Sequence, residues 1–421
     1  FLLKPGPDVF VMDEAHRIKN KDAALSSALL RIETKKRILL TGTPLQNNLM
    51  EYFHMVDFVN PGKLGDVAVF KALFVEHIKR GEVKYGADDM SKRKAMDRRV
   101  FTLAKRLDNL VQRMGPEILH ATLPPRYDVV LTVRLSDAQR LLYNHALNRT
   151  TAKKIFAFSH TLRRIFDHPA MLLLHHHTTN GKGGGNRGRG RGGAAGNQFF
   201  DGYDDVEPAS DTSGLQEKWW EEVWPTSSMS RSEVLSAGLS AKITLTLHIL
   251  REAIVHDEKV LVFSNSLETL EIIEQVLKLQ PSPRATDDRD GVGWQKGLDY
   301  LRLDGTVDHG DRETMLAHFA SERMKVHLFL VSTRAGGQGL NLTSASRVVL
   351  LDASWNPSND TQAVFRSYRY GQTRPVFVYR FIAEGFEQCL YRQQVVKLQL
   401  AGRVLDEQAH NAEYTSEELK D

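Results

Sequence analysis

Val9-Phe10-Val11-Met12-Asp13-Glu14-Ala15-His16 stands near the start of the sequence, and Arg37-Ile38-Leu39-Leu40-Thr41-Gly42-Thr43-Pro44 answers it further on. Four consecutive apolar residues ending on a carboxylate suggest a strand buried in a parallel sheet, with functional groups at its C-terminal edge. The second stretch repeats the pattern and ends in a Gly-Thr-Pro turn. Residues 22–32, between them, have helical spacing. The three pieces read as one β-α-β unit.

Working outward, residues 62–113 are helical in pattern and strongly charged, and Leu123-Pro124-Pro125 stops that pattern. Residues 127–135 alternate like a half-buried strand. Residues 138–147 read as a helix, and 159–174 as a second amphipathic helix interrupted by Pro169. From Ser236 the rhythm returns, with strands expected at 259–264, 300–303, 326–331, 347–351 and 376–381. Helices are expected at 267–279, 311–321, 361–368 and 384–400. Strand and helix alternating at this spacing predict an α/β fold with a doubly wound parallel sheet. The chain therefore reads as two α/β units joined by a long connector.

Residues 178–214 differ in kind. Positions 181–196 hold nine glycines and three arginines, and an acidic patch follows at 201–207. Such a composition buries too little apolar surface to offset chain entropy, so a disordered Gly/Arg-rich and acidic insert is expected, bounded as 178–235. Trp219, Trp220 and Trp224 restore packing potential near its end. His175-His176-His177 cannot all face one ion and read as a linker edge.

The 421 residues have room for two or three domains, and 41% hydrophobic with 26% charged residues excludes global disorder. The single cysteine, Cys389, excludes an intrachain disulfide framework and a multi-thiolate zinc site, and fits a reducing compartment. No run of 18 apolar residues exists, so no membrane span is expected. The net charge of +4, from 56 basic and 52 acidic residues, is too balanced to argue for nucleic-acid binding by itself.

Two adjacent acids at a strand's C-terminal edge suit nucleotide hydrolysis. Asp13 is placed to hold Mg²⁺, directly or through water, Glu14 to polarise an attacking water, and His16 to sense the state of the site. An isolated acid pair is more often ordinary surface charge, but the wider context changes that balance. Residues 9–20 read VFVMDEAHRIKN, 37–48 RILLTGTPLQNN, 331–342 VSTRAGGQGLNL, 352–357 DASWNP and 362–372 QAVFRSYRYGQ. In order, these resemble motifs II, III, V and VI of the superfamily 2 helicase-like ATPases. Thr-Gly-Thr-Pro, Trp-Asn-Pro and a motif VI ending Arg-Tyr-Gly-Gln resemble the SWI/SNF-type DNA translocases, and within them ATRX-like and Rad54-like members. Asn356-Pro357-Ser358-Asn359-Asp360, residues 376–381 and residues 414–419 carry that narrower likeness. The resemblance covers nearly all of the chain except 178–214.

The resemblance implies two RecA-like lobes. Residues 1–127 would be the C-terminal part of lobe 1, with a helical protrusion at 62–115. Residues 128–177 would be the interlobe connector, 236–405 lobe 2 and 406–421 a tail. It implies roles for Asp13 (the Mg²⁺-associated acid), Glu14 (the water-activating acid) and His16. Thr41, Gly42 and Thr43 would couple hydrolysis to lobe movement. Arg366 and Arg369 match motif VI, with Arg369 as the arginine finger, a guanidinium that stabilises charge on the transferring phosphate. Gly337 and Gly339 lie in a glycine-rich loop whose N–H groups can approach a phosphate, and with Gln362 and Gln372 they complete the nucleotide-binding and coupling set. Ser264 and Asn265 resemble motif IV. With Asp304, Gly305, Thr333, Arg334, Asn341 and Trp355 they are the expected DNA contacts, although a plain strand-ending turn remains an even alternative at 264–265 and 304–305.

The implied cofactors are ATP and Mg²⁺. The implied partners are double-stranded DNA and nucleosomes or other chromatin proteins, in the nucleus, with translocation rather than strand separation as the output. The Arg-Gly stretch offers nonspecific contact to RNA or DNA phosphates, and a solvated linker is the competing use.

A Gly-Lys-Ser/Thr phosphate-binding loop is not found. Gly62-Lys63-Leu64 and Gly181-Lys182-Gly183 fail at the third position. With the sequence opening at Phe1, the expectation is that the front of lobe 1 falls outside this chain, which alone does not hydrolyse ATP. A non-catalytic nucleic-acid-binding scaffold and an RNA-remodelling helicase are the other readings. The retained acids and arginines argue against the first of these.

Overall fold

Phe10–Met12 (β1) and Arg37–Leu39 (β2) pair in parallel, Phe10 opposite Arg37 and Met12 opposite Leu39, and Ala24–Leu30 (α1) lies between them in sequence. In this computed structural model the described residues are 3, 6–18, 24–42, 49–81, 90–112, 114, 119, 121–149, 155–174, 219–284, 293–336, 339–354 and 356–405. The chain divides into two units, Phe1–Pro116 with Asn356–Ser358 and Arg392–Asp421, and Glu117–Trp355 with Asn359–Tyr391.

In the first unit, side chains alternate across the two short strands. Phe10, Met12 and Leu39 pack on a core built by Leu49–Val59 (α2), through Tyr52, Phe53 and Val56. Arg37 fixes β2 to α2. Its guanidinium lies 4.4 Å from the Phe58 ring centroid and donates to the Phe58, Thr34 and Ile32 carbonyls at 2.8–3.0 Å. Val9, Val11, Ile38 and Leu40 point the other way and are exposed. Among the described residues, then, the expected burial of this β-α-β unit holds on one face only. Helical turns at Val67–Phe70 and Glu76–Gly81 flank a π-helical stretch at Lys71–Val75, and they pack Phe70 and Phe74 against Met90–Leu107 (α3), through Met96, Val100, Leu103 and Leu107.

The second unit contains a six-stranded, all-parallel sheet. Its strands are Arg126–Val133 (β3), Val260–Ser264 (β4), Tyr300–Leu303 (β5), Leu328–Ser332 (β6), Arg347–Leu350 (β7) and Val376–Ala383 (β8), in the order β3-β8-β7-β4-β6-β5. Apolar runs of four or five residues fill the central strands because both faces are covered. Val260, Val262, Leu328, Leu330 and Val349 face Ala241–Val255 (α6) and Leu267–Leu277 (α7), through Leu250, Ile272 and Ile273. The intervening Leu261, Phe263, Phe329, Val331 and Val348 face the other side, with Phe319 of His309–Ala320 (α8) and Val364 of Pro357–Val364 (α9). The α/β expectation of helices on both faces of a parallel sheet is met.

Elements within the stretch expected as the interlobe connector pack in this unit. β3 pairs along its whole length with β8, Arg126 opposite Val376 and Val133 opposite Ala383, as the edge strand of the sheet. Asp137–Asn148 (α4) starts with a capping box in which Ser136 and Gln139 satisfy each other's backbone N–H groups. The buried Gln139 amide also donates to the carbonyls of Ile165 and Phe166, at the end of Ile155–Asp167 (α5), at 2.8 Å each. Trp219, Trp220 and Trp224 are buried with Leu142, Leu162 and Phe166. The insert boundary at 235 is therefore too late: from Trp219 the chain is packed, because three indoles carry more apolar surface than the preceding segment supplies. The Gly/Arg-rich and acidic positions themselves, His175 to His177 and the 406–421 tail lie outside the described residues.

Beneath this packing sits an ion cluster. The Lys242 ammonium on α6, 1% exposed, lies 2.8 Å from Asp167 at the end of α5 and 2.7 Å from Glu387 on Phe386–Leu405 (α10). Burial alone lowers the Lys242 pKa, but the Asp167 and Glu387 charges outweigh it and hold the value above the ordinary one. Thr269 of α7 donates to the second Asp167 oxygen at 2.8 Å, and the Ala383 N–H donates to Glu387 at 2.8 Å. The adjacent His168 is driven down to about 4 by burial, against the opposing Ser236 carbonyl and Asp167 charge. It is neutral at physiological pH, donating through Nε2 to Ser236 and accepting the Ala170 N–H at Nδ1.

Removing the shared cation leaves two carboxylates buried without a counter-charge. Lys242→Ala is expected to lower unfolding free energy by roughly 3–5 kcal/mol in denaturant titrations, and Asp167→Asn by less, since Glu387 still neutralises the lysine. A Lys242→Ala midpoint equal to that of wild type would contradict the assignment.

Candidate functional site

β1 and β2 end side by side, and their ends are tied by Leu40 N–H to Met12 O at 2.8 Å and Ala15 N–H to Leu40 O at 2.9 Å. This register brings Asp13, Glu14, His16 and Thr41 together. His16 Nδ1 is 3.2 Å from Thr41 Oγ1 and 3.2 Å from a Glu14 carboxylate oxygen. Glu14 has a left-handed backbone, φ 52°, a conformation that a non-glycine residue holds only when its surroundings impose it. Its N–H donates to Asp13 Oδ1 at 2.8 Å, and the Asp13 side chain is exposed. Among the described residues no cluster of three or more His, Cys, Asp or Glu could hold a metal alone. Mg²⁺ does not need one, because it is commonly held by one or two carboxylates with substrate phosphates and water, and an exposed Asp13 fits that demand. Gly42 follows Thr41, with open space around its Cα. Thr43 lies outside the described residues.

In the second unit the expected DNA-facing residues follow the C-terminal ends of parallel strands, the edge where open α/β sheets bind ligands. They divide by exposure. Arg334, Asn341 and Gly305 are exposed and Asn265 is half-buried, and Gly339 (φ 67°), expected in the nucleotide-binding and coupling set, is exposed as well. Ser264, Asp304 and Thr333 are buried. The Ser264 hydroxyl donates inward to Asp352 at 3.0 Å. The Asp304 carboxylate is taken up by Arg302 Nε and by the Thr306 N–H and hydroxyl, so it shapes the strand-ending turn, the second of the two readings for that position. Gly337 and Trp355 lie outside the described residues.

The motif VI residues leave α9 through a short turn. Arg369 is exposed and Arg366 half-buried, and Gln362 lies on α9 itself. Gln372 is buried. Its amide donates to the Thr343, Ala345 and Ser367 carbonyls at 2.9–3.2 Å, and its oxygen accepts from the Thr373 and Arg374 N–H groups. Gln372 thus holds the arginine-bearing turn in shape and has little left to offer a ligand.

Sequence reasoning missed Asp352 as a site residue. It is 3% exposed and accepts from Ser264 Oγ, from the Asn265 N–H and from Asn265 Nδ2 at 3.0–3.1 Å. Asn265 Nδ2 also reaches Ser354 Oγ at 2.9 Å, Ser354 donates to Asp360, and Asp360 accepts from Arg380. One carboxylate therefore positions the motif IV asparagine and links it to the strand carrying Asp-Ala-Ser. The signal was available: Asp352 follows an apolar strand just as Asp13 does. Burial, and then the charge of Asp167, push Asp352 up to about 7, against Arg163 and Lys242. Arg163, Arg334, Asn265, Ser266 and Asn359 line a cavity of about 250 Å³ at the same edge.

The SNF2-related domain family matches residues 6–176, and the helicase conserved C-terminal domain family matches residues 241–371. Protein CHROMATIN REMODELING 20 of Arabidopsis thaliana is 36% identical over 99% of this chain and 29% of its own length. The chain belongs to the SWI/SNF-type superfamily 2 ATPases. Helicase ARIP4 of Xenopus tropicalis is 36% identical over 100% of this SWI/SNF-type chain and 32% of its own length, and Transcriptional regulator ATRX of Homo sapiens is 34% identical over 99% and 20%. The chain thus spans 20–32% of the length of these relatives. A solved structure, the C-terminal part of the Fun30 ATPase domain, is 21% identical with a TM-score of 0.40, covering 68% of this chain and 99% of that one.

The buried SWI/SNF-type edge titrates. The folded pKa of Asp352 lies above its unfolded value, so its contribution to stability is complete below the unfolded value and is lost as pH rises toward 7. Between pH 5 and 7, the unfolding free energy of wild type is expected to fall with rising pH more steeply than that of Asp352→Asn. Parallel curves would refute the buried, protonated carboxyl.

Proposed function

We propose that this chain serves an ATP-dependent translocase that moves on duplex DNA and remodels DNA-bound protein complexes, nucleosomes among them, in the nucleus. The observation that supports this most is the contact between His16 and both Thr41 and Glu14. The water-activating acid and the coupling threonine each lie 3.2 Å from the Nδ1 of the adjacent histidine, the threonine as a hydrogen bond and the acid as a close charge contact. A change at the phosphate therefore has a direct mechanical route into the motif III loop. The names of the relatives, chromatin remodelling among them, point to the same substrate class.

Bound ATP with Mg²⁺ supplies the phosphoryl group and the charge that screens it. Asp13 would take the magnesium. Glu14 would accept a hydrogen bond from the attacking water and its proton as the bond forms. His16 keeps the Glu14 carboxylate oriented, and Thr41 registers the state of the pair. Arg369 presents an exposed guanidinium suited to developing negative charge. Asn265, Arg334 and Asn341 would meet the DNA backbone, with Asp352 fixing the first of them. The phosphate-binding loop that such chemistry needs is not among the 421 residues, which is the one observation favouring a non-catalytic scaffold.

The chain alone is expected to release no phosphate from ATP in the presence of DNA. In a protein that also carries a lobe 1 segment with a Gly-Lys-Ser/Thr loop, duplex DNA should stimulate hydrolysis. Glu14→Gln and Arg369→Ala should each cut the rate by roughly 10³ while nucleotide binding survives. Undiminished turnover in either variant would sink the assigned roles, and no turnover in the loop-bearing protein would favour the scaffold.

A further inference from the structure

The near-neutral net charge of the chain conceals a strongly basic element. Helix α3 carries seven lysines and arginines and one acid, Asp97, so its net charge exceeds the +4 of the entire chain. Its buried side holds Met96, Val100, Leu103 and Leu107. At 100° per residue, Lys94, Arg98 and Lys105 fall in one narrow stripe on the opposite side, and Arg99 and Arg106 lie together between that stripe and the buried side. Lys94 and Lys105 are exposed and Arg98 is half-buried. None of these three makes an ion pair among the described residues. Arg106 is steadied over the Phe74 ring at 5.5 Å.

We propose that the outer face of α3 is a second nucleic-acid contact, binding the phosphate backbone of duplex DNA without reading sequence. This rests on the DNA-binding reading above and adds a surface outside every motif named so far. From Lys94 to Lys105 the stripe runs about 16 Å, long enough to meet several phosphates along a duplex. An acidic protein partner fits less well. Protein interfaces have an apolar, aromatic-rich centre, and no large apolar side chain described on α3 is exposed. A row of cations with nothing apolar between them matches a polyanion. Such a contact would lengthen the footprint on DNA and raise affinity, leaving the hydrolytic site untouched.

The test is binding of the full chain to a fluorescently labelled random-sequence duplex across a salt series. Lys94→Gln/Arg98→Gln/Lys105→Gln is expected to weaken binding at least tenfold at low salt and to flatten the plot of log affinity against log salt by roughly 2–3 units, about 0.9 for each phosphate no longer neutralised. Lys94→Arg/Lys105→Arg should keep the wild-type slope, which separates charge from folding. Lys278→Gln/Arg323→Gln/Lys325→Gln, the same charge loss on the second unit, should change the slope by less than about 1. Wild type without salt-dependent binding would overturn the DNA reading itself. Wild type that binds, with the α3 variant at an unchanged slope or the second-unit variant flattened equally, would overturn this inference alone. So would an α3 variant that keeps its DNA slope but loses binding to poly-glutamate, which would assign the face to an acidic protein.

Discussion

An ammonium group without water around it tolerates few arrangements. Lys242 meets that demand with Asp167 and Glu387, drawn from helices α5 and α10 that are far apart in sequence. The charges do not cancel locally. Asp167, Glu387 and nearby Asp352 are three acids against one buried lysine, and burial raises the pKa of both Asp352 and Glu387. The cluster is costly to desolvate and gains little over an apolar core of equal volume. What it supplies is a fixed registry: α5, α6, α7 and α10 meet in one arrangement, because any other leaves a charge unpaired.

That registry is transmitted to the C-terminal edge of the sheet by hydrogen bonds. Asp352 holds Ser264 and Asn265, and Asn265 holds Ser354, which reaches Asp360 and Arg380. The exposed Arg334 and Asn341 project from the same edge. The buried, hydrogen-bonded residues Ser264, Asp352 and Ser354 lie at the same edge. The first unit uses a different device. There the left-handed Glu14 backbone and the His16 bridge to Thr41 join the two strand ends.

The parallel strands were legible because a short apolar run ending in a polar residue is compatible with few other local structures. Starts and ends of helices were less so. The motif VI helix, expected at 361–368, begins at Pro357, where proline's missing N–H and fixed φ suit the first helical turn, and it ends at Val364. Whether a side chain at a strand end points outward was not legible at all. Ser264, Asp304 and Thr333 have the polar chemistry of ligand contacts, yet Ser264 and Asp304 spend their side-chain oxygens on internal hydrogen bonds and Thr333 is buried. Adjacency in sequence carries no information about which side of a turn faces solvent. Lys242 was invisible for a related reason. A lysine on an apolar helix reads as a snorkelling side chain until α5 and α10, brought by long-range folding, close over it. The family itself was plain, since five ordered motifs constrain far more than any single pair of acids.

The central claim is that motif II chemistry in this SWI/SNF-type chain serves movement on duplex DNA. Phosphate release from ATP by a protein that joins this chain to a lobe 1 segment with a Gly-Lys-Ser/Thr loop, measured in parallel with duplex DNA, single-stranded RNA and no nucleic acid, tests it most directly. The account predicts strong stimulation by duplex DNA that fades with salt, and little by RNA. Stimulation by RNA alone, or equal rates in all three, would contradict it.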